Sequence, residues 1–427
     1  MRNIGTLYRF ELKKLLQRRM VWAALALLTI AAVLPPVSTV TGKMTVSRDV
    51  TGAENQAYSH YEIVQRKRQD PAGLAGRVLD TDLIREAIEK LGIISRRTTV
   101  AVIGSDNAQQ SVTVRQADPD APGWTLDGYI IQGEYGDIYD AVAAVVGQEN
   151  MRADLTGEDY RAALDDARAK AFRYWGLSEG ERAWWEARAA KLETPLTLTG
   201  YPDGGWTSVA ETAYVADLFI FLFAIVALSG LFPMERQRRT EALTACARYG
   251  KTPLYAAKLL AGLTVSLVGA LVMIGAMGAA CLILLGPEDA ATAVQQLMAP
   301  AYGAPMTVQK LALTVCGVYL AASLVHAAFV MAVSLCTRGG ASAMAVCFGA
   351  MMLFVMVPAL PLSHPRLSQA WSLLPAVFGS NGFVYDLRLV RLGGYLTNYQ
   401  AAPLLWLALT AVLAALGLAL HRRVPDR

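Results

Sequence analysis

The sequence predicts an α-helical polytopic membrane protein: six transmembrane helices and a mainly helical (α+β) extracytoplasmic domain between the first and second spans. Three observations predict it. Apolar stretches recur six times at or above the roughly 20 residues that a helix needs to cross a hydrocarbon core. The first two, Met20–Val40 and Ala213–Phe232, bracket about 170 residues of polar chain. The composition is 54% hydrophobic and 17% charged, against about 25% charged in a soluble domain.

The elements follow in chain order. In residues 1–19, Ile4, Leu7, Tyr8, Leu12, Leu15 and Leu16 recur at helical spacing with Arg9, Lys13 and Arg18 between them. This pattern suits a cytoplasmic helix lying flat on the inner leaflet, in contact with membrane lipids. The first span, 20–40, has the basic start and apolar run of a signal peptide. Its uncharged stretch continues past Pro35 and Pro36 to Gly42 with no A-x-A site, so it reads as an uncleaved span. The two prolines are expected to kink or end it near the outer surface. The domain of residues 41–210 follows. Residues 211–420 then hold the second to sixth spans, at Ala213–Phe232, Leu259–Leu285, Leu311–Cys336, Ala341–Leu362 and Ala402–Leu420, and residues 421–427 form a tail.

The 41–210 domain reads as mostly helical. Ser178-x-x-Glu181 is a capping box ahead of Trp184, Trp185 and Leu192. Thr156 or Gly157 opens a helix through Tyr160, Leu164 and Phe172 that Gly176 ends. Residues 55–69 and 81–92 also read as helical. Thr98–Ile103 and Ser111–Arg115 are β-branched runs fit for a hairpin, Asp118–Gly123 is a loop, and Tyr201–Gly205 closes the domain. Its length suffices to bury a core of its own.

Charge sets the sidedness. Residues 41–210 carry 26 of the 35 acids and 19 of the 39 bases, a net of −7, which leaves +11 on the rest. Sixteen bases fall before the first span, in the 234–258 connection, at Arg338 and in the tail. The opposite loops, 286–310 and 364–401, hold only Lys310, Arg366, Arg388 and Arg391. The positive-inside rule places both termini in the cytoplasm and the 41–210 domain outside. No polybasic run of a nucleic-acid binder is present.

The residues for catalysis or metal binding are missing. All five cysteines lie in spans or in the cytoplasmic connection, and the four histidines have no ligand spacing. No catalytic residue and no metal site is therefore assigned. Ala245–Thr252 matches a relaxed phosphate-loop pattern, but it lacks the preceding strand and the surrounding nucleotide domain that such a loop requires. A helix–turn–helix link, with Gly250 as stop and Pro253 as start, accounts for it better.

That connection carries a family resemblance. Phe232-Pro-Met-Glu235-Arg-Gln-Arg-Arg239-Thr-Glu241-Ala-Leu243, followed by Tyr249-Gly-Lys-Thr-Pro253-Leu-Tyr-Ala-Ala-Lys258-Leu-Leu260, resembles the second-to-third-span segment of ABC exporter permeases of the type V class, which move drugs, peptides or polysaccharides. The layout resembles them too: basic surface helix, six spans, and a helical loop before the last. Arg239 stands where those chains usually carry Gly, and the 41–210 domain is far larger than theirs. The resemblance implies a bacterial plasma-membrane protein that pairs with a second permease copy or a paralogue and with two ABC ATPase subunits. ATP and Mg would be bound by those subunits and no cofactor by this chain. It also implies a coupling element seated on the ATPase, with Glu235, Arg238, Arg239, Glu241, Tyr249, Gly250 and Pro253 as its contact residues.

Within the spans, Asp217 and His326 are costly in lipid and read as path-lining or interior polar groups, Asp217 near the outer interface. Gly275, Gly278 and Ala279 offer a small-residue face for helix packing. The 364–401 loop reads as one or two amphipathic helices dipping to the membrane, with Arg388 and Arg391 as an extracytoplasmic gate. The function expected is ATP-driven export of an amphipathic substrate such as a peptide, drug or lipid. The alternatives are an ATP-driven relay of motion to the outer domain without translocation, as in mechanotransmission or peptide sensing, and a membrane-anchored receptor. The topology makes a direct prediction. An epitope inserted near Glu149 is reached by antibody on intact cells, whereas one near Arg238 is reached only after permeabilisation. The reverse pattern would overturn the arrangement.

Overall fold

Where no water reaches, each backbone N–H and C=O must be satisfied within the chain, and a helix does this locally. The computed structural model follows that constraint. It describes residues 2–47, 55–103, 109–117, 126–151, 154–193, 195–199, 201–237, 252–297, 305–357, 365–375 and 386–423. In chain order, α1 is Arg2–Leu16 and α2 Arg19–Thr41. The insert between α2 and the next apolar helix holds β1 (Lys43–Ser47), β2 (Asn55–Ser59), α3 (His60–Lys67), α4 (Thr81–Ile94), β3 (Ser95–Ile103), β4 (Gln109–Ala117), α5 (Leu126–Val146), α6 (Gly157–Tyr174) and α7 (Glu179–Ala189). The remainder holds α8 (Gly205–Leu228), α9 (Pro233–Gln237), α10 (Thr252–Leu285), α11 (Val294–Leu297), α12 (Val308–Cys336), α13 (Gly340–Met356), α14 (Pro365–Ser372), β5 (Val390–Arg391), β6 (Tyr395–Leu396) and α15 (Asn398–Arg423).

Among the described residues, five helices are long and apolar enough to cross a membrane: α2, α8, α10, α12 and α15. They make this a multi-pass helical membrane protein. Each matches an expected span, extended at one or both ends. Of the remaining expected span, Ala341–Leu362, residues 341–356 lie in α13, a 17-residue apolar helix shorter than the five, and 358–362 lie outside the described residues. Helices α8, α10 and α12 form the centre, with α2 against α8 and α10, and α15 against α12. Large apolar side chains such as Leu27, Ile30, Leu271, Ile283 and Leu407 face outward, as lipid-facing positions do. Helices α8 and α10 approach closely at Gly269, where a Cβ would lie 2.3 Å from the Phe223 ring of α8. The expected small-residue face is not used this way. Gly278 meets Val209 of α8 only at an ordinary 3.9 Å from a built Cβ, Gly275 has nothing within 4 Å, and Ala279 is exposed.

Two local expectations are corrected. Helix α2 runs through Pro35 and Pro36 to Thr41 without ending at them. In the last turns, Ser38 Oγ and Thr39 Oγ1 donate to the Pro35 carbonyl at 2.8 and 3.0 Å. The stretch 55–69 is helical only from His60. Residues 55–59 pair antiparallel with 43–47, and Ser59 ends the strand and caps α3, its hydroxyl accepting from Glu62 N–H at 3.2 Å.

The rest of the insert follows its sequence signals. Strands β3 and β4 form the expected antiparallel hairpin, with Ser95 opposite Ala117. Thr156 caps α6, and Gly176, at φ +60°, ends it in the left-handed region that glycine tolerates. The loop at 118–123 lies outside the described residues. A core of Leu83, Ile84, Tyr135, Ile138, Val142 and Leu198 joins α4 and α5 to the strand-like return at 196–198. Next to it, Glu86 accepts a hydrogen bond from Tyr135 at 2.6 Å and pairs with Arg77 at 2.7 Å and Lys90 at 3.1 Å. Burial opposes the charged form of Glu86, but these three partners outweigh it and bring the carboxyl down to about 2.

The insert is fastened to the apolar bundle at the loop after α10. Fully buried Asp289 accepts from Trp206 N–H at 3.1 Å and from Thr207 N–H at 2.7 Å, and Thr207 Oγ1 donates to it at 2.9 Å. It therefore satisfies the free amides that open α8 and complements the helix dipole. Gln296 bonds Thr199 through both ends of its amide, and Gln295 donates to the Glu193 carbonyl at 2.7 Å. Asp289→Ala should lower stability by roughly 2–3 kcal/mol, the scale for losing hydrogen bonds to a buried charge, with Asp289→Asn intermediate. Thermal unfolding of the purified chain in detergent checks this order.

Candidate functional site

The polar chemistry of the apolar bundle gathers at three places. The first is where α8 ends. Phe232-Pro233 turns the chain into α9, which points Glu235 back into the bundle. Its carboxylate lies 2.6 Å from Lys258 Nζ, near the start of α10, and 3.4 Å from Lys14 Nζ on α1. Lys14 is also 3.5 Å from Glu11, which is 2% exposed. Lys258 is fully buried, its ammonium 5.2 Å from the Phe232 ring centroid. A buried lysine without a counter-charge would carry a heavy desolvation cost, so this cluster ties α1, α9 and α10 to one another. Beside it the rings of Phe232, Tyr255 and His421 adjoin. The Tyr255 hydroxyl donates to the Ala414 carbonyl at 2.8 Å and brings in α15.

The second place is the bundle interior. His326 Nε2 lies 3.3 and 3.4 Å from the two carboxylate oxygens of Asp217. Phe221 stacks on the imidazole with centroids 4.2 Å apart, and both polar residues are under 5% exposed. One turn of α12 away, the buried Ser266 hydroxyl donates to the Ser323 carbonyl at 3.0 Å. The Tyr319 hydroxyl is buried without a hydrogen-bond partner. A polar seam thus runs between α8, α10 and α12.

The third place is the loop before α15. Asp386 and Arg388 form a buried pair, 2.6 Å at the closest, and the guanidinium lies over the Trp175 ring. Trp185 Nε1 donates to the Leu387 carbonyl at 2.7 Å. Glu181, 2% exposed, accepts from Leu389 N–H at 3.1 Å and from Ser178, with Arg366 at 3.4 Å. Burial works against the Glu181 charge, yet the bonds from Ser178 and Leu389 and the Arg366 charge hold its carboxyl below the ordinary range. The insert is therefore docked on this loop. Helix α14 lies within the stretch expected to be helical, but 390–396 is instead a two-residue-per-strand hairpin, because Gly393 adopts φ +73°.

The expected site residues separate into these places. Asp217 and His326, expected as path-lining or interior polar groups, are one buried pair, and Asp217 faces the interior of the bundle. Glu235 is an internal counter-ion. Pro253 sits in the first turn of α10, where its fixed φ suits a helix start. Arg388 is buried against the insert, while Arg391 is exposed on β5. Arg238, Arg239, Glu241, Tyr249 and Gly250 lie outside the described residues. Sequence reasoning passed over Glu11, Lys14 and Glu181 as partners. The available signal was a charge placed among apolar positions of a helical repeat, as Glu11 is between Tyr8, Leu12 and Leu15.

Residues 187–420 match the family model for the ABC-2 family transporter protein. The chain belongs to this family and is an ABC transporter permease, the membrane component that works with an ABC ATPase partner. The match begins inside α7, so α1, α2 and most of the insert lie outside it. No curated protein and no solved structure matches the chain.

Two outcomes test the charge placements. Glu235→Leu alone should cost about 3–5 kcal/mol, because it strands the fully buried Lys258 ammonium; Lys258→Met alone should cost less, because Glu235 keeps Lys14, and the double substitution should recover most of the Glu235→Leu loss. Thermal unfolding of the three variants in nanodiscs checks this. The Glu181 contribution should be complete above its unfolded pKa, about 4.5, and fade as pH falls through its lower folded value. Glu181→Gln should therefore destabilise by about 1–3 kcal/mol at pH 7 and by little at pH 3, as read from melting curves at both pH values.

Proposed function

We propose that this chain is the membrane-spanning subunit of an ATP-driven exporter of an amphipathic substrate in a bacterial plasma membrane. Six spans, both termini in the cytoplasm and an extracytoplasmic 41–210 domain complete this reading, with a second permease copy or a paralogue across the path. The segment 234–258 is the coupling element, and Glu235, Arg238, Arg239, Glu241, Tyr249, Gly250 and Pro253 belong to it. The observation that carries the proposal is the buried Lys14–Glu235–Lys258 cluster. A partner ATPase that pushes on the connection displaces α9. The cluster passes that displacement to the end of α1 and the start of α10, and the Tyr255–Ala414 bond passes it to α15. ATPase closure would then tilt packed helices as rigid bodies.

The Asp217–His326 pair is the interior polar element of the path in this reading, because polar groups at such depth face protein or water, not lipid. A second reading, the relay of motion to the insert without translocation, draws on the contact of Glu181 and Trp185 with residues 386–389. That contact links the insert to the base of α15. Arg388 and Arg391 stand beside it, where a gate would act.

Co-reconstitution with the ATPase encoded beside this chain tests the coupling. Pro253→Ala and Glu241→Ala should each reduce permease-dependent stimulation of ATP hydrolysis several-fold while leaving the complex intact on gel filtration. Unchanged hydrolysis and transport in both variants would reject the coupling assignment.

A further inference from the structure

A cavity of about 100 Å³ opens in the insert where α3, α5, the 196–203 return and α11 meet. One side is apolar, made by Leu74, Leu79, Ile138, Leu196 and Leu198. The other carries three carboxylates, Glu134, Asp137 and Asp203, against one ammonium, Lys67. Lys67 is committed to Asp203 at 3.2 Å. Glu134 is 7% exposed, and its buried Oε2 has no hydrogen-bond partner among the described residues. A buried carboxylate oxygen left open is costly unless something donates to it. Among the described residues no group of three or more His, Cys, Asp and Glu side chains is placed to hold a metal ion, and an N–H donor would satisfy this oxygen.

We propose that this cavity binds a primary alkylammonium group, its short apolar stem against the leucines and its charged head on Glu134. The size agrees. The volume holds roughly three waters at about 30 Å³ each, or a four-carbon amine, which is the length of a lysine side chain. Charge agrees as well, since two of the three carboxylates are left without a cation. Burial pushes the Glu134 carboxyl up to about 7. Lys67 opposes that shift, and Asp70, Asp137 and Asp203 add to it. A bound ammonium would relieve this tension. The cavity also borders the clamp to the apolar bundle, because Gln295 and Gln296 line it and Asp203 precedes the α8 N-terminus. This binding site does not depend on ATPase coupling, and either assignment can fail alone.

Calorimetric titration of the full chain in nanodiscs at pH 8 tests it. The probes are n-butylammonium and the peptide Gly-Lys-Gly, with n-butanol and Gly-norleucine-Gly as neutral controls. The expected result is saturable binding of one or both ammonium probes, at least about tenfold tighter than their neutral counterparts, the difference one well-placed charge contact provides. Binding of the peptide alone identifies a lysine side chain as the ligand, and binding of the free amine identifies a small amine. Glu134→Gln and Asp137→Asn should each weaken binding several-fold without lowering the melting temperature. Equal binding of the neutral probes, unchanged binding in Glu134→Gln, or no saturable binding in the millimolar range would overturn the proposal. If Glu134→Gln does not fold, discrimination between n-butylammonium and n-butanol by the unmodified chain decides the matter.

Discussion

The structure depends on a lysine that has no water. Lys258 is completely enclosed, and an ammonium there persists only with a carboxylate in contact. Glu235 supplies it from α9, Lys14 shares that carboxylate from α1, and the Phe232 ring lines the space. Three segments distant in sequence are thereby held to one geometry. Apolar packing alone is non-directional and would let these helix ends slide. A paired buried charge resists sliding, because any displacement that separates it leaves an ion in a low dielectric.

The same logic recurs across the bundle. Asp217 and His326 neutralise each other's need for solvent between α8 and α12. Asp289 completes the opening turn of α8, and Gln295 and Gln296 a few residues on join the insert to the helices. Glu181 joins the insert to the loop before α15. The insert is thus held at two separate points, one beside the start of α8 and one close to the start of α15. A permease whose helices tilt would move both points, so insert and bundle are mechanically linked by hydrogen bonds to carboxylates.

Much of the fold was legible in the sequence because its signals are local. Uncharged runs of about 20 residues can only be helices in lipid, and α2, α8, α10, α12 and α15 fall where those runs fall. Capping at Ser178 and Thr156, the stop at Gly176 and the hairpin of β3 and β4 rest on contacts within a few residues. Errors arose where distant segments compete with local preference. Residues 55–59 carry no strong strand pattern, and pairing with 43–47 makes them a strand. Pro35 and Pro36 would end many helices, but here α2 continues through them to Thr41.

The sequence by itself determined a multi-pass helical membrane protein with a large polar insert and a connection resembling that of exporter permeases. Hydropathy and short motifs suffice for this, since they act along the chain. Only the tertiary structure decided which charges meet: Glu235 with Lys258 and Lys14, Asp217 with His326, Glu181 with Leu389, and Glu134 with an open cavity. Those pairings join residues up to some two hundred positions apart. A charge in an apolar pattern announces that a partner is needed, but only three-dimensional packing chooses which one comes within reach.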